Sequence, residues 1–225
     1  MILRGVLFDL DGTLGDHDSS VAAALRSWLP GLGVPFDEGV HALWDEIAER
    51  HLAAWRRREI SFAEQRRRRL ADFLPYFGIN REMSELDEVF DGFRVAYQSE
   101  YRAFEDAKDA LETVAKAGLR VAVLTNGDNR QQRAKLAGMG MAGLGLVWTP
   151  EELGVAKPNP AAFQRACQRW GITPAEVLSV GDRHEFDVLA ARAAGLRAVH
   201  LDRSGTGPHD EPHRITSLRG LAAYL

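Results

Sequence analysis

The chain is poor in cysteine: Cys167 is the only one in 225 residues, which excludes an internal disulfide framework and fits a reducing compartment. It has no apolar run near the roughly 18 residues a membrane span requires. Its opening residues, Met1 to Phe8, lack the longer apolar region and small-residue cleavage site of a signal peptide. Cytoplasmic localisation with no membrane partner is the resulting expectation. Basic charge is not in excess either. The net charge is −4, so no global positive field marks nucleic acid as a partner. Lysine is missing altogether from residues 16–101. What remains is an ordinary soluble composition, 45% hydrophobic and 27% charged, long enough for one α/β domain and an insertion.

Two kinds of pattern alternate along the chain. Ile2 to Phe8 is a nearly continuous apolar run that stops at Asp9-Leu10-Asp11-Gly12-Thr13, the pattern of a strand buried on both faces. From Asp16 to about Tyr101 the spacing is helical. Val40, Trp44, Ile47, His51 and Ala54 form one stripe, and Leu86, Phe90, Phe93, Tyr97 and Tyr101 another. Ser61-Phe62-Ala63-Glu64 between them is a capping-box signature. No strand pattern occurs in that stretch, which predicts a helical insertion.

Strands and helices then alternate. A helix from about Asp106 ends near Gly118, and strands are predicted at Leu119–Leu124, Leu144–Trp148, Val177–Val180 and Ala198–Leu201. Helices are predicted over Asn129–Ala137, from Asn159-Pro160 through a stripe of Phe163, Ala166, Cys167 and Trp170, and from Asp187 to Gly195. A capping box is read at Thr173–Glu176, and Ser204 to His213 reads as a surface loop. This order implies an α/β fold: a doubly wound parallel-sheet (Rossmann-like) core, residues 1–15 and 102–225, with an inserted α-helical cap over 16–101. Ligands of such sheets bind beyond the carboxyl ends of the strands. Asp9 and Asp11, Thr125 and Asn126, and Asp182 and Asp187 all follow strand ends, and Lys157 stands in a loop expected at the same rim.

Asp9-Leu10-Asp11-Gly12-Thr13-Leu14, Leu124-Thr125-Asn126-Gly127, Lys157-Pro158-Asn159-Pro160 with Phe163, and Gly181-Asp182 with Asp187 resemble the four motifs of the haloacid dehalogenase-like superfamily. They occur in order over nearly the whole chain, and the insertion resembles the helical cap of its first, phosphoglycolate phosphatase-like subfamily. The resemblance implies a Mg²⁺-dependent phosphatase that hydrolyses a small phosphorylated metabolite through an aspartyl-phosphate. It implies Asp9 as nucleophile and metal ligand, and Asp11 as general acid and base with its backbone carbonyl on the metal. Thr125 and Asn126 would hold phosphoryl oxygens, Lys157 neutralise charge, Asp182 complete the metal ligands, and Asp187 orient a metal-bound water or Lys157. Where many members carry asparagine, this chain has Phe186, which leaves Glu185 or Asp187 as that orienting acid.

Charge counting agrees with the implied chemistry. Four carboxylates outweigh one Mg²⁺ plus Lys157 by a single charge, and protonating Asp11 closes the count at neutrality. Alternatives on the same scaffold are phosphotransfer, as in the family's mutases, and dehalogenation, which needs no acid two residues after the nucleophile. A non-catalytic phosphate-binding or regulatory module is a further alternative. Phosphonate hydrolysis would need a cap lysine, and there is none. Monomer and homodimer are not distinguished.

Other motifs read blandly. Gly138 to Gly143 matches G-x-G-x-x-G but follows a helix and precedes a strand, the reverse of a dinucleotide site. Arg56–Arg58 and Arg66–Arg69 spread around their helices as solvated surface, and the Pro212 next to His213 argues against a helical His209/His213 metal pair. Cys167 reads as core.

Overall fold

The computed structural model describes residues 2–225. They form two compact units, 2–17 with 102–225, and 18–101.

The first unit is built on β1 (Gly5–Phe8), β2 (Arg120–Leu124), β3 (Val147–Trp148), β4 (Val177–Gly181), β5 (Arg197–Leu201) and β6 (Arg214–Ile215). Every pairing is parallel and the order is β3-β2-β1-β4-β5-β6. The chain runs outward from β1 to β3, then returns to β1's other side to add β4. The crevice of this doubly wound α/β sheet therefore opens beside the end of β1. Phe8 is level with Val123 on one side and Val180 on the other, so Asp9 is the first residue past a central strand. Alternation along β1 sends Val6 and Phe8 into one buried cluster and Leu7 into the other, so both sheet faces are packed.

The sequence extends β1 back to Ile2, but pairing starts at Gly5 and Ile2 is 85% exposed. The strand expected over Leu144–Trp148 keeps only its last two residues, because it is an edge with a single neighbour. β6 and a 3₁₀ segment over Leu218–Tyr224 escape the sequence reading, the first because a two-residue strand has no measurable period. The segment 204–213 is irregular as expected, except that Glu211 is buried. Bonds from Arg192, then from His184, hold its carboxyl down to about 2.

The second unit contains α1 (His17–Trp28), whose first residue belongs to the other unit, and α2 (Glu38–Arg56), α3 (Phe62–Phe73) and α4 (Leu86–Ser99); the helices of the first unit continue the numbering as α5 (Ala107–Lys116), α6 (Asn129–Gly138), α7 (Pro150–Leu153), α8 (Pro160–Trp170) and α9 (Ala190–Ala193). Asp37 and Ser61 cap α2 and α3, accepting bonds from Val40 and Glu64 N–H. The stripes of α2 and α4 meet around Trp44, 1% exposed and ringed by Trp28, Phe73, Phe90 and Phe93. The arginine run on α3 is not uniformly solvated. Arg69 is buried, its guanidinium 5.2 Å from the Trp44 ring, while Arg67 and Arg68 pair with Glu64. Trp44→Ala is expected to cost about 3–5 kcal/mol by opening this cluster. A urea midpoint measured on the full chain checks it, and a loss below about 1 kcal/mol would mean the cluster collapses onto the gap.

Candidate active site

Each element of the first unit delivers its residues to the rim for a local reason. Past β1 the chain turns tightly, with Thr13, Leu14 and Gly15 N–H all bonding Leu10 carbonyl. Gly12 has φ +85°, and a Cβ there would collide with the Asp182 carboxylate, so glycine lets the β1 loop lie against the end of β4. Thr13 Oγ1 donates to Asp182 Oδ1 at 3.3 Å, and His200 Nε2 meets the Asp182 carbonyl at 3.0 Å. At Gly181 any Cβ would collide with the Asp187 carboxylate, which tucks beneath the turn.

Lys157 precedes α8 (Pro160–Trp170), whose N-cap Asn159 accepts a bond from Ala161 N–H. The lysine is 4% exposed and donates from Nζ to Asp9 Oδ1 and to Asp187 Oδ1, both at 2.6 Å. Its backbone is gripped by Asn126: Nδ2 donates to Lys157 O at 2.7 Å and Oδ1 accepts from Lys157 N at 2.8 Å. One amide hydrogen of Asn126 remains beyond this clamp. Asp187 Oδ2 accepts from Arg183 N–H at 3.0 Å, and its carbonyl accepts from Ser179 Oγ. These bonds start the turn early. The helix expected from Asp187 is a wide π-type turn over His184–Leu189, followed by a short α9 (Ala190–Ala193). Of the two acids, Asp187 is the one that is buried and bonded to Lys157; Glu185 is exposed, and Phe186 lies under the Arg183 guanidinium at 4.1 Å.

The carboxylates of Asp9, Asp182 and Asp187 form one group, with ligand atoms all within 4.8 Å of one another. Burial, then the neighbouring Asp187, pushes the Asp182 carboxyl up to about 6. Burial, followed by repulsion from Asp187 and Asp182, raises Asp9 well above the carboxylate range in spite of Lys157. Lys157 itself is held above its ordinary value: burial opposes its charge, but Asp187 and Asp9 outweigh that. Ionised together, three acids against one lysine would leave two excess negative charges in a desolvated place, which is why their proton affinities rise without a cation. An oxygen-only set of this charge fits a hard divalent cation such as Mg²⁺, which Asp9 and Asp182 would hold with Asp187 in the same group.

Asp11 points to a different set of partners. Its Oδ1 is ion-paired with Lys135 and its Oδ2 accepts from Gln132 Nε2 at 2.8 Å. Against the burial that opposes ionisation, Lys135 and then His17 hold its carboxyl well below the usual range. Gln132 Nε2 also lies 2.8 Å from Thr125 Oγ1, joining the ends of β1 and β2. Thr125 Oγ1 accepts here and from Gly127 N–H, which leaves its own proton free to donate.

Lys135 and Gln132 are the residues the sequence reading missed. Both lie on α6 (Asn129–Gly138), capped by Asp128, and their three-residue spacing puts them on one face. Lys135 changes the charge count: its positive charge supplies neutrality with Asp11 ionised, so protonated Asp11 is no longer required. Arg203 was also missed. It donates to Gly12 O at 3.3 Å and Thr13 O at 2.9 Å while pairing with Asp106, and so anchors the β1 loop from behind. Cys167 faces the core, burial pushes its thiol up to about 11, and it takes no part in the rim.

A central aspartate pair, a buried lysine and an acidic group thus lie together at the switch point of a doubly wound α/β sheet. The haloacid dehalogenase-like hydrolase family matches residues 3–195. The chain belongs to that family. It is 39% identical over 143 residues to a phosphoserine phosphatase of Thermus thermophilus, a match covering 63% of this chain and 55% of that protein. It is 28% identical to (S)-2-haloacid dehalogenase 4A of Burkholderia cepacia, over 99% of this chain and 95% of the relative. The magnesium-bound hydrolase YfnB of Bacillus subtilis has the same fold, with a TM-score of 0.82 at 20% identity over 99% of this chain and 98% of that one. No helix among the described residues is long and apolar enough to cross a membrane.

Proposed function

We propose that the chain is a Mg²⁺-dependent phosphatase that hydrolyses a small phosphorylated metabolite through a phosphoryl group carried on Asp9, with residues 16–101 governing substrate choice. The observation that carries this is the acid pair around Leu10. Asp9 lies with Lys157 in the acidic group, and Asp11 is held separately by Lys135 and Gln132. Dehalogenation, suggested by the Burkholderia relative, expels a halide that needs no proton, so a built environment for the second acid favours an oxygen leaving group.

Asp9 Oδ would attack phosphorus in line, and Lys157 would offset the repulsion between two anions. Bound Mg²⁺ would neutralise charge on the phosphoryl oxygens and on the acids that hold it. Thr125 hydroxyl and the remaining Asn126 N–H would donate to those oxygens. The arrangement gives Asn126 a second task, since its clamp on the Lys157 backbone sets where the ammonium sits. The charges around Asp11 favour its ionised form, which suits the later step, removal of a proton from the attacking water. Its acid role in the first step needs proton uptake with the ester, and a phosphate dianion nearby raises its proton affinity.

Turnover of p-nitrophenyl phosphate with Mg²⁺ tests the reading. Release of p-nitrophenol is expected with Mg²⁺ and its loss with EDTA, restored by adding Mg²⁺ back. Halide release from 2-haloacids without phosphatase activity would establish the dehalogenase reading instead.

A further inference from the structure

The helical unit holds a second group of metal-ligand side chains: Asp18 in the first turn of α1, and His41 and Asp45 on α2. His41 and Asp45 are four residues apart, so they share a face of that helix. The imidazole is 7% exposed, and its Nε2 is buried without a hydrogen-bond partner. That nitrogen faces Asp18 Oδ1 at 3.5 Å and Asp45 Oδ2 at 3.3 Å.

These separations are longer than an ordinary N–H···O hydrogen bond of about 2.7–3.2 Å. The His51–Asp72 and His184–Glu211 pairs stand closer, at 2.8 Å and 2.9 Å, while His17 stands 4.0 Å from Asp11. The separations at His41 do suit donors that share a cation. Tetrahedral zinc with bonds of about 2.0–2.2 Å separates adjacent ligand atoms by roughly 3.3–3.6 Å. Two carboxylates balance a divalent charge, and one aromatic nitrogen in the set favours a transition metal over Mg²⁺, which keeps to oxygen. The largely exposed Asp18 leaves the group open to solvent for entry and for a fourth ligand.

We propose that Asp18, His41 and Asp45 form a divalent transition-metal site, of the zinc class, separate from the acidic group at the sheet rim. The test is zinc binding by the full-length chain in excess Mg²⁺, read by competition with a chromogenic chelator. One zinc per chain is expected at micromolar affinity or better. Asp18→Asn, Asp45→Asn and His41→Ala should each weaken it about tenfold or more. Asp18 is exposed, so its variant does not put folding at risk. Asp182→Asn, which alters only the rim group, should leave this affinity unchanged. The proposal is overturned if no zinc is retained at micromolar concentration. It is equally overturned if Asp18→Asn and Asp45→Asn bind as the unaltered chain does, or if Asp182→Asn removes the zinc. Because binding is read directly, failure here leaves the phosphatase reading untouched, and an inactive enzyme that binds zinc leaves this site standing.

Discussion

Asp9→Asn is expected to lower kcat for p-nitrophenyl phosphate by on the order of 10⁴-fold, about 5.5 kcal/mol of transition-state stabilisation. An amide cannot supply the attacking oxygen anion, and it removes a ligand charge from the acidic group as well. The fold should not suffer. Burial and its acidic neighbours raise the Asp9 carboxyl, so the ionised group opposes folding near neutral pH, and a neutral side chain relieves that opposition. The thermal midpoint is therefore expected to stay level or rise. This separates a lost nucleophile from a damaged protein. Trapping with radiolabelled substrate should find phosphate on the unaltered chain and none on the variant. Residual turnover within about tenfold of the unaltered enzyme would remove Asp9 from its role.

Asp11→Asn is expected to act on two steps unequally. Protonation of the leaving oxygen matters most for poor leaving groups, so alkyl phosphates should lose on the order of 10²–10⁴-fold in kcat/KM, and p-nitrophenyl phosphate distinctly less. Hydrolysis of the phosphorylated enzyme needs a base with every substrate. The variant should then release about one equivalent of p-nitrophenol rapidly and turn over slowly after it, a burst visible by stopped flow. Equal losses for good and poor leaving groups would argue against the acid role. Lys135→Met tests the attachment of this acid. If Lys135 works by holding Asp11, adding Lys135→Met to Asp11→Asn should cost little more than Asp11→Asn alone. Losses that multiply would mean the lysine meets substrate itself.

Much of the architecture could be read along the chain because it depends on local patterns. A continuous apolar run stopped by an acidic turn is enough to mark β1. The stripes around Trp44 and Phe163 mark helices through a 3.6-residue period that neighbours do not alter. Elements without a period were illegible: β6 is two residues long, and the turn beginning at His184 widens because Asp187 bonds back to Arg183. Arg69 shows the same limit. Its run of four arginines reads as charge on a surface, and only the approach of α3 to α2 lays one of them over Trp44.

The sequence by itself determined the order of the first five strands and the helices between them, the helical stretch after β1, and which residues end the strands at one rim. Each of these follows from composition and spacing within a few residues. Only the tertiary structure decided how the charges pair. Lys157 is 148 residues from Asp9 and Lys135 is 124 from Asp11, and no local rule states which lysine meets which acid. Parallel pairing brings both lysines to the same rim, and the clamp of Asn126 and the face of α6 then send one to each. The lowered proton affinity of Asp11 follows from that division, because it is set by the charges around the carboxyl in space, whatever their distance along the chain.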